Sequence, residues 1–141
     1  MNSYNAFSGR EREAKLRAQH ARERLGFPCH PTGPCAICGD PDAKLEAHDE
    51  DYSQPYIWEP PAQYALCHMC HSRLHARFHN PGLWEAHKAH VRRGGYSSDL
   101  MHPEIAIEFK TARRRNALSA LKSLRMRPLT GDEWWARLST S

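Results

Sequence analysis

Apolar and polar positions change rhythm several times along this chain. From Arg10 to Leu25 the residues are Ala, Arg, Glu and Leu rich, which predicts a helix. Ala14, Leu16, Ala18, Ala21 and Leu25 are its packing candidates, a narrow stripe that needs another element or another chain to lean on. Gly26 ends this helix and Pro28 prevents its continuation. Two short strands are predicted next, Lys44 to His48 and Tyr64 to Leu66, separated by a loop rich in proline and aromatics. A helix from about His68 to Phe78 follows. Asn80-Pro81 opens another, to about Arg93, with Asn as cap and Pro in the first turn. Its buried stripe is Leu83, Trp84, His87 and Val91, and Gly94-Gly95 stops it. His87 and His90 are expected at the surface, since neither has a partner at metal spacing.

The last third is helical and basic. A long helix is expected from Pro103 to about Arg125, carried by Ile105, Phe109, Ala112, Leu118, Leu121 and Leu124. Thr130 to Glu133 reads as a capping box for a short helix with Trp134, Trp135 and Leu138, the tryptophans docking on the body. The expected fold is therefore α+β, mainly α. An N-terminal helix (1–27) and a basic helical extension (80–141) flank a small core (28–79).

Composition limits how such a chain holds together. It has 141 residues, 40% of them hydrophobic, with a mean hydropathy of −0.78. A large dry core is not available, so a metal staple has a clear purpose. No apolar run approaches the roughly 20 residues that cross a bilayer, and Met1 to Arg10 has no apolar segment of a secretory signal. A cytoplasmic location without a membrane partner is expected. There, paired cysteines serve as metal ligands more often than as disulfides.

Cysteine spacing supplies the chemistry. Cys35-Ala36-Ile37-Cys38 and Cys67-His68-Met69-Cys70 are two Cys-x-x-Cys pairs in a chain with five cysteines. A two-residue spacer lets one tight turn present two thiolates, and two turns complete a tetrahedron. Cys35, Cys38, Cys67 and Cys70 are thus expected to hold a structural zinc, with Cys29 a free thiol. His71 and His75 share a helix face. Closing the cysteine site returns His48 toward that helix, so three imidazoles could converge on a second metal with open coordination positions.

These stretches resemble one known family. Cys-x-x-Cys, Glu46-Ala47-His48-Asp49-Glu50-Asp51-Tyr52-Ser53-Gln54-Pro55, and Leu66-Cys67-His68-Met69-Cys70-His71 with His75 are similar to the HNH endonucleases, the ββα-metal fold. The resemblance implies two short strands and a helix, braced by zinc, with a separate divalent metal (magnesium, manganese, nickel or zinc) at the scissile phosphate. It implies His48, His71 and His75 as ligands of that metal. The position of the general-base histidine holds Asp49. The family's middle asparagine falls near Ala62, with Gln63 beside it as a substitute.

Charge points the same way. Net charge is +4, but residues 38–62 carry −6, while 1–27 carry +3, 64–102 carry +3 and 103–127 carry +5. An acidic block suited to a cation lies between basic segments suited to a phosphate backbone. Arg73, Arg77, Arg92, Arg93, Arg113, Arg114 and Arg115 are the candidate contacts to double-stranded DNA, and the long basic helix could also serve as a dimer arm. A metal-dependent DNA endonuclease is the first expectation. A non-catalytic zinc module binding DNA or protein is the second, and a zinc protein acting on RNA the third.

Overall fold

The computed structural model describes residues 1–27, 31–100, 129 and 131–140. Within them α1 spans Gly9–Arg24, β1 Leu45–Asp49, β2 Gln63–Cys67, α2 His68–Ala76 and α3 Pro81–Arg92, with a 3-10 turn at Ser97–Leu100. The α+β expectation holds. The helix expected from Pro103 to Arg125, with Arg113, Arg114 and Arg115, and Cys29 and Thr130 lie outside the described residues. Among the described residues no helix is long and apolar enough to cross a membrane.

β1 and β2 form an antiparallel pair with His48 opposite Tyr64 and Asp49 opposite Gln63. Side chains alternate across a strand, so Glu46 and His48 share one face while Ala47 and Asp49 share the other. β2 runs directly into α2, placing Cys67 at the helix cap and Cys70 in the first turn. The knuckle Cys35 to Gly39 docks on β2 through Ala36 N–H to the Ala65 carbonyl at 2.8 Å. Gly39 turns the chain at φ +79°, a conformation that strains any residue with a Cβ.

The core forms where α2, α3 and the C-terminal turn meet the knuckle. Ile37, Leu66, Leu74, Trp84, Val91 and Trp135 are fully buried there. α3 starts as expected, Asn80 Oδ1 accepting from Leu83 N–H at 3.2 Å. Residues 134–137 form a turn instead of the expected short helix, and Trp135 nevertheless docks on the body.

α1 docks by a route that apolar periodicity does not reveal. Leu16 and Leu25, expected to pack, are 39% and 77% exposed, while Lys15 is fully buried. Lys15 Nζ pairs with Asp49 Oδ1 at 2.7 Å and donates to the Asp51 and Ile57 carbonyls at 2.7 and 3.1 Å. It also lies 5.3 Å from the Trp58 ring centre, and Arg22 lies 5.0 Å from the same ring. The proline-rich loop thus presents aromatic faces, and α1 covers them with cations.

Removing a partner from a buried ion pair leaves the other charge uncompensated, at a cost of about 3 kcal/mol or more. Lys15→Ala is expected to lower stability by about that amount, and Leu16→Ala by less than about 0.5 kcal/mol. Urea unfolding of the two variants checks this. Equal losses would mean that α1 docks through its apolar positions.

Candidate metal centres

Two ligand clusters flank the start of α2. In the first, the sulfurs of Cys35, Cys38, Cys67 and Cys70 all lie within 4.8 Å of one another. All four residues are buried and none forms a disulfide. Cys38 and Cys67 Sγ are 4.0 Å apart, near the roughly 3.8 Å edge of a tetrahedron with metal–sulfur bonds of about 2.3 Å. The Cys67 N–H points at Cys35 Sγ at 3.3 Å, a donor suited to a thiolate. Hydrogen bonding from Cys35 draws the Cys38 thiol down to about 6, whereas burial pushes Cys70 up. Four sulfurs this close and this buried suit a structural metal ion, which would let all four carry charge together.

Two groups beyond the cysteines complete this cluster. Ser97 Oγ lies 2.8 Å and His87 Nε2 3.2 Å from Cys70 Sγ. His87 and His90 are 1% and 6% exposed, which corrects the surface position expected of both and bears out His87 as part of the buried stripe of α3. His90 turns instead toward Asp99 Oδ2 at 3.3 Å and the Tyr96 carbonyl at 2.8 Å. Nothing in the local sequence around His87 signals its contact with Cys70, because that contact arises only when α3 folds back across α2.

The second cluster is His48, His71 and His75, whose ligand atoms also lie within 4.8 Å of one another. His71 and His75 are one helical turn apart on α2, with their Nε2 atoms 3.2 Å apart. His48 reaches them from β1. His71 Nδ1 lies 3.0 Å from Glu46 Oε1, where it donates a proton and leaves Nε2 bare for a metal. Glu46 also accepts from His68 at 3.2 Å. Burial lowers the pKa of His71, and it lowers that of His75, with help from His48 and His71, to about 3. Both rings are therefore neutral near pH 7, with lone pairs free for a cation.

Three further side chains enclose His48, which is 1% exposed. The Tyr4 hydroxyl lies 3.4 Å and Glu50 Oε1 3.5 Å from its Nε2. The Trp134 ring lies nearly parallel to it at 6.2 Å and stacks on Tyr64 at 3.8 Å. Tyr4 is held by a tight turn in which Tyr4 and Phe7 exchange two backbone hydrogen bonds. Its central residues, Asn5 and Ala6, sit at φ +49° and +66°. Positive φ costs a non-glycine residue roughly 1–2 kcal/mol, so contacts made by the turn must offset it. Asn5 supplies one by donating to the Glu50 carboxylate. Burial raises the Glu50 pKa, but His48, Tyr4 and Asn5 outweigh it and the carboxyl stays ionised.

Several expected site residues stand elsewhere. Asp49, expected as the general base, is paired with Lys15, and Gln63 Nε2 donates to the same oxygen at 3.0 Å. Strand alternation turns both away from the histidines, and Gln63 lines a groove with Gln19, Arg22 and Trp58. Arg77, expected to face a phosphate, is 1% exposed and donates to the Ser139 and Leu74 carbonyls, both at 2.8 Å. It is a tether between α2 and the C-terminal turn. Arg73 is half-buried, while Arg92 and Arg93 are exposed. Glu46 and Glu50 are the acids that sequence reasoning left out. Glu46 was detectable, because it lies two residues before His48 on the same strand face.

No known protein family, curated protein or solved structure matches this chain.

Cys38→Ser and Cys70→Ser are each expected to lose one metal ion per chain together with the cooperative melt, whereas His71→Ala keeps both. Cys29→Ser should change neither. Elemental analysis paired with thermal circular dichroism reads the difference. A Cys70→Ser protein that keeps its ion and its melt would contradict the four-sulfur site.

Proposed function

We propose that this chain is a metal-dependent DNA endonuclease of HNH type, hydrolysing phosphodiester bonds on a zinc-braced frame. The observation that carries this reading is the meeting of His48, His71 and His75 beside, but separate from, the four cysteines. Buried sulfur ligands favour zinc in the first cluster. Three imidazoles suit a divalent ion in the second, where the ion would act as a Lewis acid on a phosphoryl oxygen and on the departing alkoxide. Among the chain's own residues, Glu46 orients His71, and Tyr4 and Trp134 shield His48 from bulk water. A groove of about 500 Å³ leads to His75, lined by Tyr4, Asn5, Arg12, Phe78 and His79. Arg12 and His79 give it the polarity a phosphate needs. Half-buried Arg73 and exposed Arg92 and Arg93 are candidates for backbone contacts, with Arg113, Arg114 and Arg115 further along the chain.

One observation favours a second reading, a non-catalytic zinc module that binds DNA or protein. The Asp49 carboxylate is committed to Lys15 and Gln63, so it is not poised to take a proton from water.

Purified protein is expected to nick plasmid DNA with magnesium, manganese or nickel and to stop with chelator. His48→Ala and His71→Ala should abolish nicking while keeping the cysteine-bound ion. A wild type that binds DNA but cuts with no metal would establish the second reading in place of the first.

Binding itself should weaken steeply with salt as counterions are released. Replacing Arg113, Arg114 and Arg115 together is expected to flatten the log–log salt slope by up to about 3. Fluorescence anisotropy at several salt concentrations measures it, and an unchanged slope would remove that segment from the interface.

A further inference from the structure

Four thiolates around one divalent ion carry more charge than the ion cancels. They sum to a net charge of about −2, and here all four cysteines are buried. Such a charge needs hydrogen-bond donors. Cys67 N–H points at Cys35 Sγ at 3.3 Å. Two side chains converge on Cys70 Sγ, Ser97 Oγ at 2.8 Å and His87 Nε2 at 3.2 Å. Only the four sulfurs lie within 4.8 Å of one another, so His87 stands behind Cys70 and not on the shared ion.

On the reading that the four sulfurs hold zinc, we propose that His87 and Ser97 are positioning residues of that site. Their hydrogen bonds to Cys70 stabilise its thiolate and set how tightly the ion is held. Metal binding fixes the direction of both contacts. A metal-bound thiolate has no proton to give, so the Ser97 hydroxyl donates. A neutral imidazole carries one N–H, and a bare Nε2 would turn its lone pair on an anionic sulfur. The proton therefore sits on Nε2. Ser97 Oγ, 3.5 Å from the same nitrogen, is a second acceptor for it. Nδ1, buried without a partner among the described residues, is then a bare acceptor instead of a stranded N–H.

The surroundings hold both donors in place. The His87 ring lies within 15° of parallel to that of Trp84, with centres 6.0 Å apart. Ser97 opens the 3-10 turn, which Tyr96 N–H braces by donating to Asp99 Oδ2 at 2.8 Å. The chain reaches that turn through Gly95, where a Cβ would stand 2.2 Å from His90 Nε2. α3 and the turn after it thus bring two donors from outside the cysteine motifs to one sulfur. Hydrogen bonds to an ionised acceptor are roughly twice as strong as neutral ones, which is what a buried, negatively charged metal site requires.

Zinc affinity of the full chain by chelator competition, read together with the spectrum of the cobalt(II)-substituted protein, tests this. His87→Phe keeps an aromatic ring against Trp84 but loses the donor, and Ser97→Ala loses the hydroxyl. Each is expected to weaken zinc binding by about tenfold. Each should also move the sulfur-to-cobalt charge-transfer band to lower energy, because a thiolate without its donor gives up charge more readily. The ligand-field bands of a four-sulfur tetrahedron should stay. His87→Gln and Ser97→Thr, which can donate again, should return both readings toward wild type. Weaker binding with an unmoved charge-transfer band would mean that the two residues only pack the fold, and would overturn the proposal. Wild-type affinity and band in both His87→Phe and Ser97→Ala would overturn it and leave the four-sulfur site intact. Altered ligand-field bands in His87→Phe would make His87 a ligand, and no metal uptake by wild type would remove the site itself; either overturns the proposal. Should the variants fail to fold, nitrogen-15 spectra of the histidine rings in zinc-loaded wild type decide. A proton on His87 Nε2 supports the assignment, and a proton on Nδ1 alone overturns it.

Discussion

Four buried sulfurs drawn from two distant turns set the terms for everything else in this chain. They join the knuckle at Cys35–Cys38 to the junction of β2 and α2 at Cys67 and Cys70. A two-stranded hairpin is marginal on its own in water. Here its second strand is tied to the knuckle, and its continuation into α2 is fixed at the first turn. Ser97 and His87 add contacts to Cys70, so α3 and the following turn are drawn onto the same point. With a mean hydropathy of −0.78, the chain has little apolar surface to do this otherwise. A metal shared by the sulfurs couples its binding energy directly to folding.

The second constraint is the alternation of β1. Because that strand leaves a fixed junction, its two faces have separate fates. Glu46 and His48 turn toward α2, where helical spacing has aligned His71 and His75. Asp49 turns toward α1 and holds Lys15. The histidine cluster and the docking of α1 are thus two sides of one short strand. Loss of the Lys15 contact would act on the histidine cluster through the strand between them. At the rim, Tyr4 and Trp134 arrive from opposite ends of the chain to cover His48, so both termini take part in shaping the site.

Much of this was legible in the residues, and the misses share a cause. Cys-x-x-Cys pairs, a histidine pair at helical spacing, and the Asn80-Pro81 helix start are local signals, and each placed its element correctly. α1 was found, but its packing face was not. Its buried residue is a lysine whose partners are a carboxylate, two carbonyls and an aromatic ring, none of which scores as apolar periodicity. Arg77 reads as a surface cation by the same logic, yet it satisfies carbonyls of its own helix and of the C-terminal turn. Asp49 was assigned by position in a motif, and Glu50 beside it was passed over. The strand's pleat, and the turn that places Asn5 on Glu50, decide which of them faces the histidines. Long-range polar contacts of this kind leave no periodic trace.

The central claim is that the cysteines close on one metal by themselves and leave the histidines free for another. X-ray absorption at the zinc edge, on protein loaded with a single equivalent of zinc, tests it most directly. The account predicts a shell of four sulfurs at about 2.3 Å with no imidazole scattering. A mixed sulfur and nitrogen shell would contradict it, because a histidine would then belong to the brace and the two clusters would not be separate sites.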